Sequence, residues 1–434
     1  MAPALSREQQ AVFDLIEKTR EHVFVTGRAG TGKSTLLNHL AWNTDKQIVI
    51  CAPTGVAALN VGGQTIHSLF RLPIGVIADH AIDQSDELKK LLNTIDTLVI
   101  DEVSMVNADL MDAIDRSLRQ ARKKPTAPFG GVQVVLFGDP YQLAPVPGSQ
   151  EEREYFADTY RSMWFFDAKV WQTAELRIVE LGEVHRQHEA EFKYMLNAVR
   201  HGMVTKEIAD RLNTVGARPA PRDGVITLAS RNDSVNRINQ AQLQRLPGRL
   251  QTAKAEISGD FGGRNYPADE ALELMVGAQV MFLRNDTQGQ GEVRWVNGSI
   301  GTVTKITANV EVEIDGVRYE VEPATWERHK YSYDPATKKL EKEVVAEFSQ
   351  FPLRLAWAVT IHKSQGKTYD QAIVDLGSRA FSPGQTYVAL SRITALEGLY
   401  LTRPLRPSDI WVDKDVERFM ADAGRAPRVA VTAS

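Results

Sequence analysis

Four short apolar runs in the first part of the chain each lead into a polar or glycine-rich cluster. They occupy residues 23–26, 48–51, 98–100 and 132–137. Short continuous runs rich in valine and isoleucine are typical of strands buried on both faces, and therefore of a parallel sheet. Ligands of such sheets bind beyond the carboxyl ends of the strands. We therefore expect an α/β fold in which the four clusters gather at one edge and form a site.

Two stretches between these runs place apolar residues at helical spacing, namely 36, 37, 40 and 41 after the first cluster and 110, 114 and 118 after the third. Each stretch predicts a helix beside the sheet. The second helix also carries Arg116, Arg119 and Arg122. We interpret these arginines as a solvated face near the helix C-terminus, where cations complement the helix dipole.

The first cluster, Gly27-x-x-x-x-Gly32-Lys33-Ser34, matches the phosphate-binding loop G-x-x-x-x-G-K-[ST]. Its glycines allow backbone N–H groups to turn towards phosphates, and the helix that follows presents its positive end. Lys33 is expected to neutralise the β- and γ-phosphates of ATP, and Ser34 to bind Mg²⁺. The candidate nucleotide-binding residues are Gln9, Gly27, Ala29, Gly30, Thr31, Gly32, Lys33, Ser34, Thr35 and Gly366.

The third cluster begins with two neighbouring carboxylates, Asp101 and Glu102, directly after a predicted buried strand. At this edge of the sheet, Asp101 is expected to hold Mg²⁺, and Glu102 to orient and deprotonate the attacking water. The chemistry expected of the site is therefore hydrolysis of a nucleoside triphosphate.

Two glutamines each have two interpretations. Gln142 follows the fourth run, where its amide could contact the γ-phosphate or the residue could simply form a turn. Gln9 lies three residues after Ser6, the spacing of a capping box at a helix N-terminus. The alternative role for Gln9 is recognition of adenine by its amide.

Composition indicates the class of protein but says less about its binding partners. The chain has 434 residues, enough for two or three domains. A formal net charge of -4 gives no basic footprint over the whole protein, although a local groove is what contacts nucleic acid. The single cysteine, Cys51, excludes an internal disulfide and fits a reducing compartment. With no secretory signal or membrane-spanning run in the sequence, we expect an intracellular protein, cytoplasmic or nucleoid-associated if bacterial.

A second set of strand-like runs follows at 225–228, 357–360, 372–376 and 399–401. Between them, Val310, Val312 and Ile314 alternate with polar residues before Asp315-Gly316, which predicts a hairpin within a small β-rich, barrel-like insert. The expected domains are a first lobe at 1–173 with a small insert at 71–93, a second lobe at 174–250 and 353–423, the β-rich insert at 251–352, and a flexible tail at 424–434.

Further phrases occur in one order along the chain and carry a family resemblance. They are Ala52-Pro-Thr-Gly-Val-Ala-Ala, Gly63-Gln-Thr-Ile-His-Ser, Asp101-Glu-Val-Ser-Met, Pro128-Phe-Gly-Gly-Val-Gln, Gly138-Asp-Pro-Tyr-Gln-Leu, Val184-His-Arg-Gln, Thr360-Ile-His-Lys-Ser-Gln-Gly and Tyr387-Val-Ala-Leu-Ser-Arg. From about Leu5 to Leu401 the chain resembles superfamily 1 helicases, and within them the Pif-type, RecD-like group of 5′-to-3′ DNA helicases.

The resemblance implies two RecA-like lobes with parallel sheets, ATP between them, and ATP-dependent 5′-to-3′ unwinding of DNA. Arg186 and Arg392 match two arginines that reach the γ-phosphate from the second lobe, which couples hydrolysis to lobe closure. The implied catalytic residues are Lys33, Glu102, Gln142, Arg186 and Arg392. ATP and Mg²⁺ are the implied cofactors. The implied partners are single-stranded DNA, 5′-tailed or forked duplex and guanine quadruplexes, bound by a monomer in replication, repair or telomere maintenance.

The resemblance also implies a DNA track across both lobes. Its matching residues are Pro53, Thr54, His67 and Phe70 in the first lobe and Thr360, His362 and Lys363 in the second. Amides, hydroxyls and cations of this kind hold phosphates without reading sequence. For the two histidines, a packing or hydrogen-bonding role is the alternative. The small insert at 71–93 is the implied place of a strand-separating wedge.

Two alternative functions fit parts of this pattern. One is an ATPase that moves along single strands with little unwinding, and the other is a nucleotide-dependent switch or binding protein. The combination of Lys33, Glu102 and Arg392 argues against the switch, because a switch does not need a complete hydrolytic set.

Overall fold

The computed structural model describes residues 5–73, 75–78, 82–83, 85–146, 149–184, 186–187, 189–221, 224–259, 261, 266–286, 294–334 and 339–425. The chain divides into two compact units. The first comprises 1–185, 328–345 and 413–434, and the second comprises 186–327 and 346–412. Within the described residues, no helix has the length and apolar character needed to cross a membrane.

The first unit is built on a six-stranded parallel sheet. Its strands are β1 (Val23–Gly27), β2 (Ile48–Ala52), β3 (Gln64–Thr65), β4 (Thr97–Ile100), β5 (Gln133–Phe137) and β6 (Arg177–Leu181). They are ordered β3-β2-β4-β5-β1-β6, and every pairing is parallel. The residues of β1, β4 and β5 are all buried, as expected when helices cover both faces. The predicted α/β sheet and its four strands are confirmed.

The helices of the first lobe are α1 (Arg7–Lys18), α2 (Lys33–Asn43), α3 (Gly55–Asn60), α4 (Ile66–Phe70), α5 (Asp86–Thr94), α6 (Ala108–Arg122) and α7 (Gln150–Thr159). Both predicted helices are present as α2 and α6. In α2, the buried side chain of Leu36 packs in one cluster with Ile16 of α1 and Val25 of β1. This packing fixes the start of α2 directly beyond the end of β1.

The arginines of α6 do not form the solvated face expected from the sequence. Arg122 Nη1 donates to the carbonyl oxygens of Asn93 and Ile95 at 2.9 and 3.1 Å, at the end of α5. Arg119 Nε lies 2.7 Å from the Asp115 carboxylate. Both guanidinium groups therefore bond to groups of the same unit. The last carbonyls of a helix need donors from outside that helix, and Arg122 provides one for α5.

The second unit contains α8 (Ala190–Arg200), α9 (Lys206–Gly216), α10 (Asn232–Leu243) and α11 (Gln385–Leu390). Its strands are β7 (Ile226–Ala229), β8 (Gln251–Lys254), β9 (Glu256–Gly259), β10 (Ala271–Leu274), β11 (Gln279–Phe282), β12 (Ile300–Ile306), β13 (Val310–Ile314), β14 (Val317–Val321), β17 (Leu353–Leu355), β18 (Ala358–Thr360), β19 (Ala372–Asp375) and β20 (Leu399–Leu401). Two further strands, β15 (Ala324–Asp334) and β16 (Lys339–Gln350), are divided between the two units. A parallel sheet ordered β18-β7-β19-β20 contains all four strands predicted for the second lobe.

The β-rich insert contains a five-stranded antiparallel sheet ordered β14-β13-β12-β11-β17. The predicted hairpin is confirmed, since β13 pairs with β14 around Asp315 and Gly316. Both turn residues have positive φ, 49° and 79°, as a two-residue type I′ turn requires. Phe282 and Trp295 stack at 4.5 Å in the core beneath the sheet.

Three segments lie in a different unit from the one that the sequence predicted. Strand β6 falls beyond the expected boundary at 173, yet it pairs with β1 at the edge of the first sheet. The tip of the β15–β16 ribbon, 328–345, also belongs to the first unit. The third segment is the C-terminal helix α12 (Lys414–Arg425), where the Phe419 ring stacks on Phe166 at 4.1 Å. Each placement depends on long-range packing that the local pattern does not encode.

Two predicted segments are described only in part. Of the expected tail at 424–434, α12 includes 424 and 425, and residues 426–434 lie outside the described residues. Of the small insert at 71–93, positions 74, 79–81 and 84 lie outside them, and most of α5 occupies its end. The wedge therefore stays a prediction.

Candidate active site

The loop between β1 and α2 has the backbone needed to surround phosphates. Gly27 has a φ of 150°, and a Cβ there would lie 2.7 Å from the carbonyl oxygen of Leu181 in β6. Gly32 caps α2 in the left-handed conformation and provides no side-chain hydrogen bond to the helix. The first N–H groups of such a helix suit an anion, because they lack partners within the helix.

The Lys33 ammonium lies over this loop. Its Nζ donates to the carbonyl oxygens of Gly27 and Arg28 at 2.6 and 3.0 Å. Thr31 Oγ1 donates to the Arg28 carbonyl at 2.9 Å, which closes the loop on itself. The cation is thus held at the mouth of the loop, beside exposed Ser34 at the start of α2.

Gln9 links α1 to the same loop. The predicted capping box is confirmed, because the Ser6 N–H donates to Gln9 Oε1 at 3.0 Å and the Gln9 N–H donates to the Ser6 hydroxyl at 3.3 Å. Gln9 Nε2 also donates to the carbonyls of Thr31 and Gly32 at 3.4 and 3.3 Å. The buried amide therefore braces the loop, and its contact with adenine stays a prediction.

Asp101 and Glu102 follow β4 at the same edge of the sheet. The Asp101 N–H donates to the Cys51 carbonyl of β2 at 2.9 Å. Removal from water, and next the Glu102 carboxylate, raise the pKa of Asp101 to about 7, while the Lys33 charge acts in the opposite direction. The acidic pair and the loop lysine are therefore near neighbours, as the positions of β4 and β1 in the sheet predict.

Glu102 has a strained backbone. Its φ of 50° and ψ of 43° put a non-glycine residue in the left-handed region. Such a conformation costs about 1–3 kcal/mol and persists where the surrounding structure fixes the residue. Strain of this kind is concentrated at functional sites, and here it falls on the predicted general base.

Gln142 follows β5 in a turn. Asp139 organises the turn, accepting from the Tyr141 N–H through its carboxylate at 3.2 Å and from the Gln142 N–H through its carbonyl at 3.0 Å. Gln142 itself is buried. The turn interpretation is confirmed for the backbone, and contact of the side chain with a γ-phosphate stays a prediction.

The first unit also provides donors for a divalent cation. Within the described part of the chain, no three His, Cys, Asp or Glu side chains converge on a common metal position. A carboxylate and a hydroxyl, from Asp101 and Ser34, fit Mg²⁺ that is shared with phosphates, because this ion usually takes one or two protein oxygens and completes its shell elsewhere. The raised pKa of Asp101 fits this assignment, because a bound cation would relieve its repulsion with Glu102.

The second unit brings the two predicted arginines together. Arg186 Nη1 donates to the Ser391 carbonyl at 3.2 Å, and Arg392 Nη2 donates to the Ser391 hydroxyl at 2.8 Å. Arg392 is 2% exposed. Burial, and next the charge of Arg392, lower the pKa of Arg186 to about 9. Half-buried Arg186 and buried Arg392 together favour an anion, which would relieve their repulsion.

The structure also identifies two residues that the motif reading did not assign. Ser391 contacts both arginines, and buried Gln187 donates to the carbonyls of Ser391 and Ile393 at 3.2 and 3.0 Å. Both lie inside the quoted phrases, next to Arg186 or Arg392. Their proximity in sequence was the available signal.

The candidate DNA contacts of the first unit differ in accessibility. Pro53, Thr54 and His67 are half-buried, and Thr54 caps α3 through a hydrogen bond from the Ala57 N–H at 3.2 Å. Phe70, in contrast, has no exposed surface. A fully buried ring in the core is not available to stack on a base, and contact of Phe70 with DNA stays a prediction.

In the second unit, the predicted DNA segment is a tight turn after β18. Thr360 is buried, and its hydroxyl accepts from the Lys363 N–H at 3.2 Å. His362 is half-buried and stacks on the exposed ring of Phe381 at 6.4 Å. Lys363 is exposed, and Gly366 turns the chain with a φ of 75°. Packing of His362 is therefore observed, and DNA contact by His362 and Lys363 stays a prediction.

Comparison of the sequence with known proteins indicates the family of the chain. A family profile described as PIF1-like helicase matches residues 4–210. The "ATP-dependent DNA helicase Pif1" of Bdellovibrio bacteriovorus is 36% identical over 428 residues, which cover 96% of this chain and 91% of that protein.

Solved structures agree with the sequence match. The chain is 37% identical to a Pif1 from Bacteroides sp in complex with ADP-AlF4, with a TM-score of 0.89 over 97% of this chain and 98% of that chain. A Bacteroides Pif1 bound to ssDNA gives 38% identity and a TM-score of 0.70 over 97% of each chain. A structure described as DNA unwinding at forked dsDNA by two coordinating Pif1 helicases gives 37% identity and a TM-score of 0.70 over 97% and 98%.

Proposed function

The chain belongs to the PIF1-like helicase family and is an ATP-dependent DNA helicase, and we propose that it moves 5′-to-3′ along single-stranded DNA and unwinds the duplex ahead. The observation that carries the coupling between ATP and movement is the pair of arginines around Ser391. The ATP-binding loop lies in the other unit of the chain. Hydrolysis therefore needs groups from both units.

The first unit prepares the nucleotide. In our proposal the loop N–H groups and Lys33 hold the β- and γ-phosphates, and Ser34 and Asp101 hold Mg²⁺. When bound, the ion would neutralise charge on the phosphate oxygens. Glu102 takes the proton of the attacking water, and Gln142 contacts the γ-phosphate. The left-handed backbone of Glu102 supports this role, because such a conformation persists only where the surrounding structure fixes the residue.

The second unit completes the reaction. Removal from water, and next the charge of buried Arg392, lower the pKa of Arg186, so the two guanidinium groups repel each other. A γ-phosphate relieves that repulsion and is itself stabilised as negative charge spreads over its oxygens. We therefore propose that ATP draws the units together and that phosphate release lets them part, which gives one step along the strand in each cycle.

The DNA is held without reading its sequence. In the first unit we propose contacts from Pro53, Thr54 and His67, and in the second from Thr360, His362 and Lys363. The ssDNA complex of the Bacteroides relative supports single-stranded DNA as a partner of this chain. Forked duplexes and guanine quadruplexes are proposed substrates, and a solved structure that describes unwinding of forked dsDNA by Pif1 helicases supports the fork.

One experiment tests the proposal. ATP turnover is measured with and without single-stranded DNA, and unwinding is then followed on matched duplexes with a 5′ tail or a 3′ tail. We expect DNA to stimulate turnover strongly and only the 5′-tailed duplex to open. Opening of the 3′-tailed duplex alone would contradict the proposed 5′-to-3′ direction. ATP turnover that does not respond to DNA would contradict a DNA-driven motor. Stimulated turnover without unwinding would identify a translocase instead.

The number of molecules at work is tested separately. We propose that a monomer moves on single strands, whereas the solved structure with forked dsDNA is described with two coordinating Pif1 helicases. Titration of the protein against a tailed duplex under single-turnover conditions distinguishes these states. An unwinding rate that is linear in protein supports the monomer, and a sigmoidal rise contradicts it.

A further inference from the structure

Lys367 and Arg354 of the second unit lie beside Met281, and Lys363 lies in the turn that precedes Lys367. Arg354 in β17 is the cross-strand partner of Met281 in β11, so both side chains point from the same face of the sheet. Lys367 Nζ lies 3.6 Å from Met281 Sδ on that face. The Lys367 N–H donates to the Ser364 carbonyl in the turn that contains Lys363, and the charges of Arg354 and Lys363 both act on Lys367. We call Arg354, Lys363 and Lys367 the cationic cluster.

The cationic cluster is poorly balanced by carboxylates. Asp269 lies 3.6 Å from Arg354 Nη2, and its side chain is 50% exposed. Among the ion pairs formed by the described residues, none includes Lys363 or Lys367. Lys367 is half-buried, and its hydrogen bond to a thioether is a weak one for an ammonium. A cation held away from water in this way favours an anion from outside the chain.

The electrostatics agree with this geometry. Burial, followed by the charges of Arg354 and Lys363, lowers the pKa of Lys367 to about 7. The phenol of Tyr369 also faces Met281 and donates to its Sδ at 3.4 Å, and burial raises the pKa of that phenol. Tyr369 is therefore neutral, and Lys367 is the group in the cluster whose charge changes near neutral pH.

The cluster is held in a fixed shape. The Lys363 N–H donates to Thr360 Oγ1 at 3.2 Å, the Ser364 hydroxyl donates to the Ile361 carbonyl at 2.7 Å, and the Lys367 N–H donates to the Ser364 carbonyl at 3.1 Å. These bonds fix the backbone at both lysines before any ligand arrives. Preorganisation lowers the entropy lost on binding.

We propose that Arg354 and Lys367, together with Lys363, bind one backbone phosphate of single-stranded DNA. The inference rests on the proposed function, since it takes DNA as the ligand. The cluster is continuous with the segment 360–363, which is already assigned to the DNA track, and this continuity favours a strand phosphate over a free one. Three cations around one site suit a single phosphate group, which they would hold without reading the base.

The test compares Lys367→Met, Lys367→Arg and a control, Lys305→Met, which removes an exposed lysine from β12 of the same unit. Affinity for a labelled oligothymidine and for a mixed-sequence strand is measured over a range of KCl concentrations. For Lys367→Met we expect weaker binding to both strands and a plot of log K against log salt that is about 0.7 less steep. Lys367→Arg and Lys305→Met should keep the slope.

A pH series adds a readout that a structural role would not change. A phosphate beside Lys367 favours its charged form, so binding takes up a proton. Wild-type affinity should therefore fall as pH rises from 7 to 9, and Lys367→Arg should lose that dependence. Urea midpoints confirm that each variant is folded.

Several outcomes overturn the inference. An unchanged salt slope in folded Lys367→Met, or an equal loss in Lys305→Met, would remove Lys367 from the DNA. If added inorganic phosphate inhibits ATP turnover in the wild type but not in Lys367→Met, and DNA binding is unchanged, the ligand is a free phosphate. In each case, unwinding of the 5′-tailed duplex by the wild type would leave the proposed function intact.

Discussion

Arg186 donates a 3.2 Å hydrogen bond to the carbonyl oxygen of Ser391, the residue directly before Arg392. The Ser391 hydroxyl in turn accepts from Arg392 at 2.8 Å and donates to the Val388 carbonyl at 3.0 Å. One residue therefore contacts both guanidinium groups, Arg186 through its backbone carbonyl and Arg392 through its hydroxyl. Movement of either arginine would be transmitted to the other through Ser391.

Arg392→Ala should bind ATP but hydrolyse it slowly. An arginine that stabilises charge only in the transition state contributes about 10³- to 10⁵-fold to the rate. We therefore expect kcat to fall by about 10³-fold or more with a small change in the Kd of ATP, measured by stopped-flow turnover and nucleotide binding. Ser391→Ala is the matched variant, and it should lower kcat less because both arginines remain. Loss of folding in Arg392→Ala with normal kcat in Arg392→Lys would indicate a structural role.

Glu102→Gln should bind ATP and DNA and turn over slowly. Removal of a general base costs about 10²- to 10⁴-fold in rate, and the amide keeps the shape of the side chain. Single-turnover hydrolysis with saturating DNA measures the loss. Undiminished turnover would exclude Glu102 as the base.

The strain at Glu102 gives a separate stability prediction. Glu102→Gly and Glu102→Ala both lose the carboxylate, but only glycine adopts a φ of 50° without steric cost. The glycine variant should be more stable by up to about 1 kcal/mol in urea unfolding. A more stable alanine variant would mean that the left-handed conformation is not kept in solution.

Gln9→Ala and Ser6→Ala should separate bracing of the loop from capping of the helix. Ser6→Ala removes the cap and should lower the free energy of unfolding by about 1 kcal/mol, with the KM for ATP unchanged. Gln9→Ala also removes the bonds to Thr31 and Gly32, and should raise that KM. Comparison of ATP with GTP then tests adenine recognition, since a pure brace would weaken both nucleotides equally.

His22 should make the stability of the first unit depend on pH. Its Nδ1 accepts from the Val134 N–H at 3.0 Å, and burial lowers the pKa of the ring to about 4. The unfolded chain binds a proton more readily, so stability is greatest above about pH 6.5 and falls as the pH drops towards 4, by on the order of 3 kcal/mol. Urea unfolding at pH 7.5 and 5 measures this.

His22→Asn is the control for that prediction, because its amide oxygen can accept from Val134 without titrating. The difference in unfolding free energy between the two pH values should be smaller in this variant than in the wild type. Equal differences would mean that other groups, and not His22, cause the pH dependence.

The local features of the fold could be predicted from the sequence. A run such as Leu98 to Ile100 consists of apolar residues that favour burial, and the glycines at 27, 30 and 32 mark a loop that needs positive φ. The Asp315-Gly316 turn is equally local. In each case the residues that determine the structure are neighbours in the chain, and in the loop it is the positive φ of Gly27, Gly30 and Gly32, which glycine adopts without steric cost, that makes the pattern recognisable.

The remaining features depend on residues that are far apart. The burial of Phe70 reflects the packing of α4, and no local pattern distinguishes it from an accessible ring. The contacts of Arg122 with the end of α5 reflect the meeting of two helices. The cationic cluster needs β11 and β17 to pair before Arg354 reaches Lys367.

The chain passes between the two units four times, at 185/186, 327/328, 345/346 and 412/413. The ATP-binding unit therefore ends with a helix made after the whole arginine-bearing unit, and Phe419 of that helix packs against Phe24 of β1 as well as Phe166. During synthesis, the nucleotide-binding core lacks this helix until residues beyond 413 have been added. Truncation before residue 413 would damage the unit encoded first, and neither unit could be expressed alone by a single cut.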